Sequence, residues 1–230
     1  MMRAMLTALA EDLWVYDQPL RFYGIEVGTR KTVVRLASGE LWLHSATRPT
    51  PELRAAVDAL GPVRYVVAPN RWHHLYVGDW QAAYPGALAY GAPGLQKKRP
   101  DLTFAAILDD TAPAGWAGQI DQIVKQGAPT MSEVVFLHRK SRTLIVSDTA
   151  HNFAPDAPTG TRIAFSLLGG WRGFRTTLLD RSVVRDRAAA RASLERILQW
   201  DFDRIVVCHG AVLESGGKEA LQRAYAWLLR

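Results

Sequence analysis

Cysteine is almost missing from this sequence: its 230 residues include one, Cys208, so the chain cannot close a disulfide on itself. A reducing, cytoplasmic compartment is the simplest expectation for such a chain. Long apolar runs are missing as well. None approaches the roughly 20 residues that a membrane-spanning helix requires, so no membrane is expected among the partners. Residues 1–14 carry one arginine and a short apolar run before Glu11 and Asp12, which is not the pattern of a secretory leader. Repeats, low-complexity tracts and an identifiable linker are also wanting, and the chain reads as one domain over residues 1–230. Acidic side chains are in deficit: 28 Lys and Arg stand against 22 Asp and Glu, a net charge of +6. Residues 162–196 hold eight arginines and three acids (Asp180, Asp186, Glu195), which accounts for five of those six charges. Arginine suits bidentate contact with phosphate or carboxylate. No base-stacking motif interleaves the stretch, however, so a solvated helix face explains it and nucleic acid is not expected as a partner.

What is present is an ordinary globular mixture, 48% hydrophobic and 22% charged, sufficient for a core without staples. Residues 14–16, 32–36 and 41–43 are β-prone, with Ser38-Gly39 as a hairpin turn between the last two. Thr50 and Pro51 open a helix that Gly61-Pro62 closes; Leu53, Ala56, Val57 and Leu60 fall on its buried face. A buried strand follows at 63–68, then an aromatic loop over 69–78 and a strand at 87–90. Residues 95–99 read as a turn or short helix and 107–123 as irregular. A hairpin is expected from 133–137 and 143–147, a helix over 186–200, a strand over 204–208 and a closing helix over 218–229. The stretch 163–179 is ambiguous, being apolar but broken by Gly169-Gly170 and Gly173. Alternation of strands and helices argues for a layered α/β fold.

Four apolar strands lead into residues that bind metals or move protons. One ends in His44; 63–68 leads to Asn70 and His73-His74; 143–147 ends in Asp148; 204–208 ends in His209. Ligands of α/β sheets gather at strand ends, and imidazoles with a carboxylate there form a metal-binding set. His138, at a hairpin turn beside Arg139 and Lys140, is expected to be exposed and inert. His151 is a possible flanking donor. Cys208 reads as a small buried hydrophobe.

In this order the strand ends resemble the metallo-β-lactamase-fold superfamily. Leu-Trp-Leu-His-Ser at 41–45, Ala-Pro-Asn-x-x-His-His-Leu at 68–75, Glu-Val-Val-Phe-Leu-His at 133–138 and Ser-Arg-Thr-Leu-Ile-Val-Ser-Asp at 141–148 are similar to a branch of it known only as a domain of unknown function. The resemblance implies a four-layer αββα sandwich with a metal site along one edge. The last histidine of the superfamily's His-x-His-x-Asp-His motif falls on His74, and its aspartate is replaced by His73. The first two histidines fall on Pro69 and Arg71, and no histidine occupies 127–130, where the lone middle one belongs. The bridging aspartate falls on Asp148 and the final histidine on His209. The three-histidine half of the two-metal site is therefore absent. The resemblance implies one divalent ion held by His73, His74, Asp148 and His209, with zinc the natural choice and iron or manganese compatible. Asp148 would be the fourth ligand or a water-orienting base. Asn70 and His44 would donate supporting hydrogen bonds or hold an oxyanion, Arg71 would hold a substrate anion, and Trp72 would contribute to an apolar wall. The implied activity is hydrolysis of a small ester, lactone, thioester or amide. The alternative is a descendant of the fold, without metal or with a structural one, that binds a ligand or protein.

Overall fold

The computed structural model describes residues 6–230. Residues 1–5, part of the stretch read above for leader character, lie outside it. Fifteen strands are described: β1 (Thr7–Ala10), β2 (Leu13–Gln18), β3 (Arg21–Phe22), β4 (Ile25–Glu26), β5 (Thr29–Arg35), β6 (Leu41–His44), β7 (Val63–Ala68), β8 (Leu88–Gly91), β9 (Ala106–Ile107), β10 (Ile120–Val124), β11 (Val134–His138), β12 (Thr143–Ile145), β13 (His151–Phe153), β14 (Gly173–Arg175) and β15 (Arg204–Val206). The helices are α1 (Pro51–Asp58), α2 (Val77–Ala83), α3 (Leu95–Lys98), α4 (Thr159–Leu167), α5 (Leu178–Ser182), α6 (Arg187–Leu198), α7 (Gly217–Ala224) and α8 (Ala226–Leu229).

Period-two alternation divides the core. Val134 and Phe136 of β11 join the cluster that contains β5, β6, β7 and α1, while Val135 and Leu137 join a second cluster with α6, α7 and α8. Ile145 and Leu144 divide in the same way. A seven-stranded sheet, ordered β1-β2-β5-β6-β7-β8-β9, thus packs face to face with a four-stranded sheet, ordered β10-β11-β12-β15. Helices cover both outer faces, which makes the expected αββα sandwich. Helix α1 begins as its sequence dictates: Thr50 Oγ1 accepts the Leu53 amide at 3.2 Å, and Pro51 fills the first turn.

The structure departs from the sequence pattern in three places. Residues 107–123 are not uniformly irregular, since β10 starts at Ile120 and pairs along the whole of β11. The closing helix breaks at Tyr225, whose hydroxyl turns inward to donate to the Thr149 carbonyl at 2.7 Å. His138 is buried rather than exposed, with Nδ1 2.7 Å from Ser141 Oγ; burial pulls its pKa down to about 4. No helix among the described residues is long and apolar enough to cross a membrane.

Candidate metal centre

Strand pairing builds the site. Strands β12 and β15 run parallel with Ile145 opposite Val206, so three residues further on each chain Asp148 meets His209. The first sheet delivers the third member: beyond β7, Asn70 Oδ1 accepts the Trp72 and His73 amides at 2.8 and 2.7 Å. This side-chain turn swings the His73 ring toward the second sheet. His73 Nε2 lies 3.2 Å from His209 Nε2 and 3.3 Å from Asp148 Oδ2, and His209 Nε2 lies 3.4 Å from Asp148 Oδ1. Among the described residues, these three form the cluster whose donor atoms all fall within 4.8 Å of one another.

Both imidazoles are held from behind. His209 Nδ1 is 2.8 Å from the Gly28 carbonyl, which can only accept, so Nδ1 carries the proton and the Nε2 lone pair faces the cluster. His73 Nδ1 is 2.8 Å from Ser45 Oγ, a residue held at φ +56° where β6 ends. Asp148 Oδ2 accepts Asn70 Nδ2 at 2.6 Å, and the same amide nitrogen reaches Ser147 Oγ at 2.9 Å. Burial opposes charge on both His73 and Asp148, but each is more than compensated by its neighbour. His73 is raised well above the usual imidazole range by Asp148 and Cys208, and Asp148 is held well below the usual carboxylate range chiefly by His73 and His209. Burial lowers His209, which keeps it neutral. Around a tetrahedral ion with bonds of about 2.0–2.1 Å, donor atoms stand about 3.3 Å apart. The two imidazole nitrogens stand at about that spacing, each faces a different oxygen of Asp148 at 3.3 and 3.4 Å, and with one donor atom taken from each residue the set falls within 4.8 Å; two imidazoles with one carboxylate are a donor set suited to zinc.

The other predicted site residues divide. His74 is absent from the cluster, which corrects the expectation of four converging side chains. Its Nδ1 sits 2.9 Å from an Arg99 guanidinium nitrogen, and burial together with Lys98 and Arg99 lowers its pKa to about 4. Asn70 takes the supporting position, but all its polar atoms are engaged within the protein, so none remains for an oxyanion. Arg71 gives one guanidinium nitrogen to the Pro129 carbonyl at 3.0 Å, its own carbonyl accepts from Lys98 Nζ at 2.6 Å, and it is not one of the three clustered residues. Trp72 is partly exposed beside His73. Sequence reasoning missed Ser45 and Gly28. Ser45 was within reach, being the residue after a strand-ending histidine; a backbone carbonyl leaves no trace in residue type. His151 forms an outer layer, with Nε2 3.2 Å from Asp180 Oδ2 and its ring 5.6 Å from that of His209.

His44 offers no hydrogen bond to the site. It is fully buried, stacked on Trp42 and edge-on to Phe136, and neither ring nitrogen has a partner. Burial, reinforced by His73, depresses its pKa to about 3. Between pH 6.5 and 3 the unfolded chain takes up a proton that the fold cannot hold, so stability falls as the pH falls through that window. At pH 5 the loss from this residue is about 2 kcal/mol. His44→Leu removes both unsatisfied nitrogens, and it should raise stability at pH 7 by about 1 kcal/mol and flatten the decline toward pH 5. Urea unfolding at the two pH values checks this; parallel pH slopes for parent and variant would contradict it.

A cleft of about 250 Å³ is lined by Asp17, Glu26, Gly28, Arg30, Cys208 and Gly210; the last two flank His209 in the chain, but none of the three clustered donors lines it. A larger hollow of about 480 Å³ contains none of these side chains; its Arg139 and Arg196 are paired with Asp121 and Asp110.

Solved structures share this architecture. A metallo-β-lactamase from Pontibacter korlensis is 17% identical, with TM-score 0.63 over 95% of this chain and 98% of its own. One from Erythrobacter litoralis is 16% identical, with TM-score 0.67 over 97% and 95%. FIM-1 from Pseudomonas aeruginosa, solved in a mono-zinc form, is 11% identical, with TM-score 0.66 over 100% and 98%. At these identities the likeness defines the fold, which is that of the metallo-β-lactamases. Within that class the chain belongs to the family described as a domain of unknown function, DUF4336, whose model matches residues 10–169. The matched segment contains His73 and Asp148 but ends before His209. No curated protein sequence matches the chain.

Proposed function

We propose that this protein is a metal-dependent hydrolase with one divalent ion, most readily zinc, held by His73, Asp148 and His209, and that it acts on a small ester, lactone, thioester or amide. The observation that carries the reading is the convergence of three donors from two different sheets, Asp148 and His209 buried and His73 about 9% exposed, each fixed from behind. The mono-zinc form of a solved neighbour with the same fold is consistent with it. When bound, a divalent ion would lower the pKa of its water to about 7 and polarise a carbonyl.

The chain's own contributions follow from its contacts. Gly28 and Ser45 fix the two rings, and an ion bound there would displace the proton that His73 holds toward Asp148. Asp148 stays ionised, because His73 and His209 outweigh its burial. It therefore serves as a ligand and as an acceptor that orients water rather than as a proton store near neutral pH. Asn70 ties Asp148 to the backbone of His73 and so bridges the two sheets at the site. The cleft of about 250 Å³ next to Gly28 and Cys208 limits any molecule it holds to a small one, and the single cysteine suits a cytoplasmic setting.

The test is a panel of p-nitrophenyl esters, lactones and acyl thioesters. Turnover that a chelator abolishes and stoichiometric zinc restores is the expected result. Turnover unaffected by complete metal removal, or one zinc bound per chain without turnover of any panel member, would overturn the hydrolase assignment.

A further inference from the structure

Eight large hydrophobic side chains are exposed among the described residues, and six of them fall on three adjoining elements: Phe22 and Tyr23 on the β3–β4 hairpin, Ile163 and Leu167 on α4, and Leu178 and Leu179 on α5. Tyr23 is 90% exposed and Leu167 78%. The elements are joined directly. Thr161 Oγ1 of α4 donates to the Glu26 carbonyl of the hairpin, and the Leu178 amide donates to the Leu168 carbonyl at 2.8 Å. Ile163 and Leu167 are four residues apart, so they form one outward apolar stripe, while Thr161 and Phe165 form the buried face of the same helix. A helix that is apolar on both sides has an outer face with no partner.

Charge narrows the partner. Arg162, Arg172, Arg175 and Arg185 are exposed around this patch, and none forms an ion pair among the described residues. Of the nearby acids, Asp180 is buried against His151 and Thr177, Glu26 of the hairpin faces Arg21 at 3.8 Å, and Asp156 before α4 is exposed, so the four unpaired arginines still leave the face with an excess of positive charge. Protruding apolar tips inside a field of unpaired arginines are the features of a surface that lies on an anionic bilayer, with apolar groups below the headgroups and guanidiniums among the phosphates. A second copy fits less well, since a two-fold contact through the patch would bring the same arginines face to face.

We propose that the hairpin β3–β4, α4 and α5 form a docking face for an anionic phospholipid surface. This is a peripheral contact and needs no spanning segment. The docking face and the candidate metal centre share a side of the molecule: Gly28, just beyond the hairpin, receives His209, and Phe165 of α4 packs 5.5 Å ring to ring against His151.

Vesicle co-sedimentation of the full chain tests this and reads binding rather than turnover, so it stands apart from the hydrolase assignment. Vesicles of mixed phosphatidylcholine and phosphatidylglycerol should retain the protein at low salt and release it at high salt, and pure phosphatidylcholine should not retain it. Leu167→Glu should abolish retention. Arg172→Gln and Arg175→Gln should each weaken it about fivefold and flatten its salt dependence. All three positions are exposed, and a thermal melt checks that the variants fold. Failure to bind either vesicle at low salt would overturn the proposal. So would binding that survives Leu167→Glu in full, or a solution dimer that Leu167→Glu dissolves in a protein indifferent to vesicles.

Discussion

His209→Ala should abolish zinc binding, whereas His74→Ala should leave it unchanged. The two histidines are equally plausible on paper, and geometry separates them. His209 Nε2 faces two other donors at 3.2 and 3.4 Å, with Nδ1 fixed on Gly28. His74 turns to Arg99, whose cationic neighbour would repel a second cation. Loss of a direct ligand should weaken binding by more than the roughly 10–100-fold that follows loss of a supporting residue. Asn70→Ala should fall in that smaller range, since it releases Asp148 and the turn that aims His73. Zinc titration by competition with a chromogenic chelator measures all three. Equal losses in His74→Ala and His209→Ala would mean that the cluster described here is not the binding site.

Lys125→Met should cost about 3–5 kcal/mol of stability, because it leaves a buried carboxylate without its counter-charge. Glu133 is fully buried. Its Oε1 accepts the Ser147 amide at 2.7 Å and Ser147 Oγ at 3.0 Å, and Oε2 has only Lys125 Nζ, at 4.0 Å, to face. Burial works against the Lys125 charge, but Tyr225 and Glu133 raise its pKa on balance. Its Nζ donates to Tyr225 at 2.9 Å and Thr149 at 3.1 Å, so the ammonium joins α7 and α8 to the loop that carries Asp148. Adding Glu133→Gln to Lys125→Met should recover part of the loss, since a neutral amide can still accept from Ser147. Urea unfolding of the single and double variants measures the coupling. Additive losses would show that the two charges do not interact.

Much of this architecture can be read from residue patterns. Thr50-Pro51 opens α1 because an N-cap hydroxyl and a fixed φ are local requirements. Residues 134–137 alternate because each sheet face has its own core. Asp148 and His209 meet because parallel strands in register carry equal offsets to equal heights. What could not be read depends on loop backbone or on contacts distant in sequence. Adjacent histidines diverge in direction, and whether His73 or His74 points inward is decided by Asn70, whose side chain captures two amides. His138 is buried with its Nδ1 against Ser141 Oγ, a contact set by the turn's backbone rather than by residue type. Tyr225 looks like an ordinary helical residue until Lys125, 100 positions earlier in the chain, is found against its hydroxyl.

Anomalous diffraction from crystals soaked in zinc, recorded on both sides of the zinc absorption edge, locates the ion. A single strong peak is expected, bounded by His73 Nε2, His209 Nε2 and a carboxylate oxygen of Asp148, with His74 still turned toward Arg99. A peak at His74, or none among the three donors after soaking, would contradict that placement.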